Sequence, residues 1–191
     1  MADSASHGDL AHGSREDEFL VIRCQLGERA AFDELIDRWH VRLWQYARRL
    51  TGSDEAADDS TQDIWLRVRR DLGQLRDRSR LRAWLYGIAR RVLMDRLRIR
   101  YATPLEASIE NLDLPAAADS NADIDDIGLM EEELERLPVI EREMLVLFYL
   151  NDLSLNEIAD VAGIPVGTVK SRLHRARHML RQQLIAQGVT P

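Results

Sequence analysis

The chain lacks most of the features from which catalytic, metal and membrane sites are built. Its 191 residues include one cysteine, Cys24, which excludes an intramolecular disulfide and a metal site made of several cysteines. No apolar run approaches the roughly 18 residues of a membrane span, and the N-terminus has neither the basic start nor the apolar core of a signal peptide. No glycine-rich phosphate loop, nucleophile with a placed base, or carboxylate pair at metal-ligand spacing appears. These absences predict a cytoplasmic protein that is not an enzyme and that binds no cofactor and no metal.

Lysine is nearly absent too, so the basic charge is carried by arginine. Lys170 is the single lysine among 26 basic residues, against 33 acidic ones. Arginine suits bidentate contacts to phosphate and guanine, although a biased genomic base composition gives the same excess. The net charge of −7 argues against a general nucleic-acid binder. Because a basic surface acts within a Debye length of about 8–10 Å, the local distribution of charge decides the question.

Positive charge is concentrated between Arg67 and Arg100, where twelve arginines stand against three aspartates and give a local charge of +9. We interpret 73–80 as a loop and 81–99 as a helix with arginines on its outer face. Basic residues interleaved with Trp84 and Tyr86 fit binding to the nucleic-acid backbone, including single strands. For both aromatic side chains we favour a place in the hydrophobic core over a role as a base-stacking platform.

The stretch from 154 to 177 predicts two helices joined by a tight turn. Ser154 and Glu157 have the spacing of a capping box at the start of the first helix. Gly163 fits the left-handed position that often ends a helix, and Pro165 fits the first turn of the next one. The spacing of the apolar residues in between gives each helix one buried face.

The second helix of this pair is cationic and has no acidic residue from Val166 to Arg181. Such a helix can lie in the major groove of DNA. Its candidate contacts to bases and phosphates are Thr168, Lys170, Ser171, Arg172, Arg175 and Arg177. His174 and His178 have no third metal ligand nearby, so we interpret them as solvated or facing phosphate. The alternative is a packed helix pair with a solvated basic face.

The same residues carry a family resemblance. The segment Glu-Ile-Ala at 157–159, followed by Gly-Ile-Pro-Val-Gly-Thr-Val-Lys-Ser-Arg-Leu-His-Arg-Ala-Arg at 163–177, resembles the last domain of bacterial sigma factors of the extracytoplasmic-function (ECF) group. In that group the domain reads the upstream, or −35, promoter element. Response regulators with a C-terminal helix-turn-helix have a similar Glu-Ile-Ala…Thr-Val-Lys pattern, so the rest of the chain must decide between the two families.

Before the arginine-rich segment, hydrophobic periodicity predicts three helices, at about 16–26, 28–50 and 54–72. Residues 1–15 are polar, and we predict a disordered tail there. On the third helix one acidic surface is formed by Asp58, Asp59, Gln62 and Asp63. This surface fits the docking of a basic partner; an ordinary solvated helix start is the alternative.

Two segments of this half extend the resemblance. Residues 56–63, Ala-Ala-Asp-Asp-Ser-Thr-Gln-Asp, resemble the sigma-factor segment that docks on the clamp helices of the polymerase β′ subunit. Residues 81–98 resemble the region that reads the −10 element and separates the strands. The resemblance implies polymerase contacts by Asp58, Asp59, Gln62, Asp63 and Trp65. It implies −10 and melting contacts by Arg76, Arg78, Arg80, Trp84, Tyr86, Arg90 and Arg91. In the family the loop before the helix, here 74–80, captures a flipped base. Arg91 departs from the family, which often has Asn there.

Residues 101–126 hold seven acidic residues and neither lysine nor arginine. We predict a flexible acidic linker, which the resemblance places along the RNA exit path; a plain spacer is the alternative. A second helical unit follows at 127–187. Its helix from Pro138 through Tyr149 carries more apolar residues than one buried stripe needs. We expect some of them to face a partner, and the resemblance implies the flap of the polymerase β subunit.

The predicted fold is therefore all-α, with two small helical domains joined by the linker. A region 2 helical bundle occupies 16–100, and a region 4 helix-turn-helix domain occupies 127–187. The first functional hypothesis is an ECF sigma factor that binds core RNA polymerase and promoter DNA. The resemblance also implies an anti-sigma factor, commonly membrane-tethered, and no small-molecule substrate.

Two other hypotheses remain open at this point. An autonomous helix-turn-helix regulator would form a stable homodimer and bind operator DNA tightly without polymerase. A helical adaptor that sequesters a partner would keep its activity after Arg172→Ala and Arg175→Ala.

Overall fold

The computed structural model describes residues 5–101 and 133–187, with side chains from 15 to 99 and from 133 to 187. Regular structure in these ranges is helical throughout, which confirms the all-α prediction. The acidic segment predicted as a linker lies outside the described residues, apart from its first residue. The helices are α1 Ala5–Gln25, α2 Arg29–Thr51, α3 Asp54–Asp71, α4 Leu81–Tyr101, α5 Val139–Leu145, α6 Leu155–Ala162 and α7 Val166–Ala186.

We call residues 5–101 lobe A and residues 133–187 lobe B. In lobe A, α1 begins at Ala5, inside the segment expected to be disordered. Leu20 and Val21 of α1 are buried in the core, so the C-terminal half of the helix is held by packing. Once a helix is nucleated, each added residue contributes one further backbone hydrogen bond. The polar composition of 5–15 therefore did not prevent helix formation there.

The centre of lobe A is α2, which α1, α3 and α4 contact. Its buried side chains recur at three- and four-residue steps, as an amphipathic helix requires. The helix ends at Gly52, whose φ of +72° is left-handed and whose N–H donates to the carbonyl of Arg48. Ser53 then caps α3 by accepting a hydrogen bond from the N–H of Ala56. The end of α2 and the start of α3 each lie within one residue of the predicted position.

The predicted loop between α3 and α4 contains two short 3₁₀ turns, Leu72–Gln74 and Arg78–Arg80. It is tied to α1, because the Gln25 amide donates to the carbonyls of Leu72 and Leu75 at 3.0 and 2.9 Å. Leu75 itself is buried. The loop is thus a preformed surface at the start of α4.

Lobe B contains the predicted helix-turn-helix. The Ser154 hydroxyl accepts from the N–H of Glu157, and the Glu157 carboxylate accepts from the N–H of Ser154 at 2.9 Å, which completes the capping box. Gly163 ends α6 with a φ of +67°, and α7 begins directly after Pro165. The start and end of α6 and the start of α7 follow the sequence prediction.

The helix predicted from Pro138 through Tyr149 differs in detail. The α-helical part ends at Leu145 and continues as a π turn, Val146–Leu150. Every side chain from Glu141 to Leu147 is buried, because α5 lies between α7 of its own lobe and α2 of lobe A. The excess of apolar residues is explained by this second covered side.

Lobe B packs directly against lobe A. The largest part of the contact is between α4 and α6, and α2 meets α5 beside it. The buried side chains of the two lobes form one continuous hydrophobic core. The sequence left the relative orientation of the two domains open, and the structure shows a closed arrangement.

Candidate nucleic-acid interface

Six arginines of the loop and of α4 carry the predicted cationic charge of lobe A, and we call them together the arginine edge: Arg76, Arg78, Arg80, Arg82, Arg90 and Arg91. Arg76 and Arg91 are exposed to solvent. Arg78 is partly covered and donates from Nε to the Gln25 side-chain oxygen at 3.0 Å. Arg80, Arg82 and Arg90 reach acidic residues of lobe B. Arg82 is not among the predicted DNA contacts, because nothing in the sequence pattern distinguishes it from the neighbouring arginines.

Tyr86 does not face solvent, which agrees with the core position favoured from the sequence and not with the DNA contact that the resemblance implies. It is 1% exposed, and its ring packs edge-on against Trp39 and Tyr46 at centroid distances of 6.5 and 5.3 Å. Its hydroxyl donates to the side-chain oxygen of Asn151 in lobe B, and burial raises the pKa of Tyr86. Tyr86 is a core residue at the contact between the lobes. Trp84 is half-buried.

A buried carboxylate lies beneath the arginine edge. Glu143 of α5 is 0% exposed. Its carboxylate accepts from the Tyr46 hydroxyl at 2.8 Å and pairs with Arg90 Nε at 3.0 Å. Burial raises the pKa of both Glu143 and Tyr46, and the nearby positive charge of Arg90 opposes the shift in each. Arg90, predicted as a DNA contact, therefore bridges the lobes here.

The predicted DNA contacts of α7 divide between two sides of the helix. Lys170 and Ser171 are exposed, and Thr168 and Arg177 are partly buried. With 3.6 residues per turn, Lys170 and Arg177 lie on the same side, and His174 lies between them. His174 was not in the predicted set, although its three-residue step from Ser171 places it beside those residues.

The other side of α7 faces α5. Arg175 pairs with Glu141, whose side chain is 3% exposed. The charge of Arg172 acts on buried Glu143. Arg175 thus neutralises a buried carboxylate within lobe B, whereas the sequence pattern groups it with the outward-facing residues.

The acidic surface predicted on α3 is outward-facing. Asp58, Asp59 and Gln62 are exposed, and Asp63 is about half exposed; we call these four residues the docking face. Trp65 was predicted to belong to this surface, but it is 8% exposed and packs edge-on against Phe32. It therefore supports the docking face from beneath, as part of the core.

The docking face is held in place by donors from neighbouring helices. The indole N–H of Trp44 on α2 donates to Asp58 at 2.6 Å. Arg96 on α4 donates to Asp63 from Nε at 3.2 Å and lies 3.7 Å from the carboxylate of Asp59. These contacts fix the acidic side chains without covering them.

Within the described residues, no group of three or more His, Cys, Asp or Glu side chains is arranged to hold a metal ion. The helices in the same part of the chain include none with the length and apolar character needed to cross a membrane.

Comparison with known proteins decides the family. Residues 35–102 match the model of Sigma-70 region 2, and residues 127–180 match that of Sigma-70, region 4. The ECF RNA polymerase sigma factor SigM of Mycobacterium tuberculosis is 35% identical over 170 residues, which cover 89% of this chain and 85% of SigM. SigE of Mycolicibacterium smegmatis is 34% identical over 184 residues, covering 92% of this chain and 71% of SigE.

The chain belongs to the ECF RNA polymerase sigma factors. A sigma factor binds RNA polymerase and directs the initiation of transcription, and this is the function of the chain. Members of this family are in general not enzymes. The region 2 match of this sigma factor overlaps lobe A, and its region 4 match overlaps lobe B.

Solved structures of similar proteins have the same fold as this sigma factor. CnrH, determined in complex with the cytosolic domain of CnrY, matches with a TM-score of 0.66 and 26% identity, covering 89% of this chain and 97% of CnrH. RpoE, determined in complex with the anti-sigma factor NepR from Bartonella quintana, matches with a TM-score of 0.62 and 26% identity, covering 80% and 96%.

Proposed function

We propose that the two lobes divide the work of this sigma factor between the polymerase and two elements of promoter DNA. Lobe A docks on the clamp helices of the β′ subunit through the docking face and binds the −10 element through the arginine edge. Lobe B reads the −35 element through α7. The proposal is carried by the segregation of charge on lobe A, since opposite charges on separate surfaces suit two partners of opposite charge.

The arginine edge is suited to hold a separated DNA strand. Unstacking a base costs a few kcal/mol, and contacts between arginine and the phosphate backbone offset part of that cost. Arg76 and Arg91 are free to solvent, and Arg78 is fixed against Gln25. Trp84, half-buried at the start of α4, offers a partly accessible ring to an unpaired base.

On lobe B, the outward side of α7 is the surface proposed to enter the major groove. Lys170 and Ser171 reach furthest into solvent near the start of the helix, where recognition helices contact base edges. Arg177 follows on the same side two turns later, and His174 adds a donor between them, whereas Thr168 lies on the side of Arg175. Arg175 becomes a DNA contact only if it leaves buried Glu141, and Arg172, which is partly buried, is a further candidate.

Two protein partners complete the proposal. Tyr149 and Leu150 at the end of the π turn are partly exposed apolar residues, and they are candidates for contact with the flap of the polymerase β subunit. Because CnrH and RpoE were determined with CnrY and the anti-sigma factor NepR, we propose that this chain is also held by an anti-sigma factor, tethered to the membrane. The chain itself acts in the cytoplasm, has no catalytic activity, and uses no cofactor or small-molecule substrate.

The test is transcription in vitro with core polymerase on a library of genomic promoters. We expect the wild-type chain to direct initiation from a defined subset. Lys170→Ala should weaken use of the −35 element roughly tenfold, because one base contact contributes about 1–3 kcal/mol. Arg76→Ala should reduce strand opening, measured with permanganate, without changing −35 preference.

Arg29→Ala is the matched control, since Arg29 is an exposed arginine at the start of α2 that belongs to neither proposed DNA surface. It should transcribe as the wild type does. A homodimer that binds the same promoters equally well without polymerase would instead support the autonomous regulator.

A further inference from the structure

The arginine edge of the closed chain already has acidic ligands, and they come from lobe B. Arg80 pairs with Asp160, and both side chains are 53% exposed. Arg82 pairs with Glu157 at 2.8 Å. Asp160 and Glu157 both lie on α6, the first helix of the helix-turn-helix. The helix that packs under the DNA-reading helix therefore also places carboxylates where a phosphate backbone would lie.

The contact between Arg82 and Glu157 has the geometry of a specific site. Arg82 Nε lies 3.1 Å from Glu157 Oε1, and the terminal nitrogen Nη2 lies 2.8 Å from both carboxylate oxygens. The side chains are only 27% and 28% exposed. Arginine binds carboxylate and phosphate in the same forked geometry, so this site and a DNA phosphate compete for one guanidinium.

Glu157 is positioned before the lobes meet, because it also completes the capping box of α6. Its Oε2 accepts from the Ser154 N–H at 2.9 Å and from the Ser154 hydroxyl at 2.8 Å. A carboxylate fixed by its own helix loses little conformational freedom when it binds Arg82. The acid is thus a preorganised ligand for the arginine edge.

Buried polar pairs behind these salt bridges make the closed arrangement specific. Glu143 is bonded to Tyr46 and Arg90, as described above, and Arg142 Nη1 donates to the carbonyl of Arg49 at 2.9 Å across the same contact. Buried polar groups are costly unless they are paired. These pairs form only in this relative orientation of the lobes, which argues for a defined closed state.

Contact with lobe B engages part of the arginine edge of lobe A but leaves the docking face exposed. Arg80, Arg82 and Arg90 are engaged by lobe B, whereas Asp58, Asp59 and Gln62 of the docking face remain exposed. The polymerase can therefore bind the closed chain, but promoter DNA cannot reach the centre of the arginine edge until the lobes separate.

We propose that α6 is an internal, phosphate-mimicking inhibitor of −10 recognition: Glu157 and Asp160 occupy Arg82 and Arg80 in the free chain, and docking on the polymerase precedes their release. This inference rests on the proposed role of the arginine edge in binding −10 DNA. It assigns α6 a second task besides supporting α7.

The test is the double variant E157Q/D160N in the full-length chain. Glutamine preserves the capping box, since Gln serves at that position as Glu does, so α6 keeps its start while losing the charge. The closed population is followed by energy transfer between dyes at V41C and I185C in a C24S background, both positions being exposed and on different lobes. DNA binding is measured by anisotropy with a single-stranded oligonucleotide of the −10 non-template sequence.

We expect E157Q/D160N to show lower energy transfer than the wild type and to bind the oligonucleotide about fivefold or more tightly. The reason is that apparent affinity scales with the fraction of open chain. The control is D33N/D37N, which removes the same two charges from exposed positions on α2. It should change neither readout, which separates release of the arginines from a general gain of positive charge. The charge swap R80D/D160R should restore energy transfer relative to D160R alone.

Unchanged energy transfer and unchanged DNA binding in E157Q/D160N would overturn the inference. So would a gain in binding of the same size in D33N/D37N. Failure of the underlying function looks different: R80A would then transcribe from the promoter library as efficiently as the wild type, while E157Q/D160N would still lower the energy transfer.

Discussion

At the scale of single residues, Glu157 connects helix formation with the contact between lobes. Hydrogen bonds from Ser154 fix its carboxylate at the start of α6, and Arg82 then binds the remaining lone pairs. Burial raises the pKa of Glu157, but the hydrogen bonds from Arg82 and Ser154 outweigh it, so the net pKa is lowered. A carboxylate used in this way stays ionised at neutral pH and keeps both partners.

Cys24 supports a prediction about reactivity. Burial raises the pKa of its thiol more than the neighbouring charge of Arg23 lowers it, so little thiolate exists at neutral pH. We expect iodoacetamide to alkylate Cys24 in the native chain more slowly than it alkylates glutathione, as followed by mass spectrometry. Urea should remove the difference, because unfolding exposes the thiol. Equal rates for the native chain and glutathione would contradict this prediction.

At the scale of elements, the end of α6 gives a stability prediction. Gly163 has a φ of +67°, and a Cβ there would meet no atom within 4 Å. Gly163→Ala should therefore act through backbone strain alone and lower the free energy of unfolding by about 1–2 kcal/mol. The measurement is urea unfolding followed by circular dichroism.

Gly87→Ala is the matched control for that experiment. Gly87 lies inside α4, has no positive φ, and would also place its Cβ in open space. Alanine is favoured over glycine in a helix interior, so this variant should gain about 0.5–1 kcal/mol. If the two glycine-to-alanine changes alter the free energy of unfolding in opposite directions, local backbone conformation decides the effect. A loss at both positions would contradict the argument.

Elements whose causes are local could be predicted from the sequence. Ser154, Gly163 and Pro165 set the helix-turn-helix through interactions within a few residues, and Ser53 did the same for α3. The π turn and the two covered sides of α5 could not be predicted, because they depend on packing between segments far apart in the chain. Tyr86 and Trp65 are a different case: the family resemblance implies partner contacts for both, and the structure buries both in the core.

At the scale of the whole molecule, the contact between the lobes pairs arginines of lobe A with acidic residues of lobe B. Glu157 and Arg82 are 75 residues apart in sequence, so no sequence spacing pointed to their contact. The net charge of −7 hides this arrangement, in which Arg80, Arg82 and Arg90 of lobe A pair with carboxylates of lobe B.

Two carboxylates at the contact between lobes make closure depend on pH in opposite directions. Burial raises the pKa of Glu143 above 4.5, against the opposing charges of Arg90 and Arg172 and the hydrogen bond from Tyr46. A raised pKa means that the closed state binds the proton more tightly than the open state, so closure weakens as pH rises through that pKa. Glu157 has a lowered pKa, so its contribution is present above 4.5 and is lost as pH falls through its closed-state pKa.

We therefore expect the energy transfer between V41C and I185C dyes to rise as pH falls from neutral toward 4.5 and to decrease below 4.5. E143Q should remove the rise while E157Q should remove much of the decrease, because each variant eliminates one of the two titrations. Far-UV circular dichroism at each pH must show that the helices remain folded, since loss of structure would lower energy transfer by another route. A single monotonic trend in the wild type, unchanged in E143Q, would mean that Glu143 does not titrate differently in the open and closed chain, and that its burial is not relieved when the lobes part.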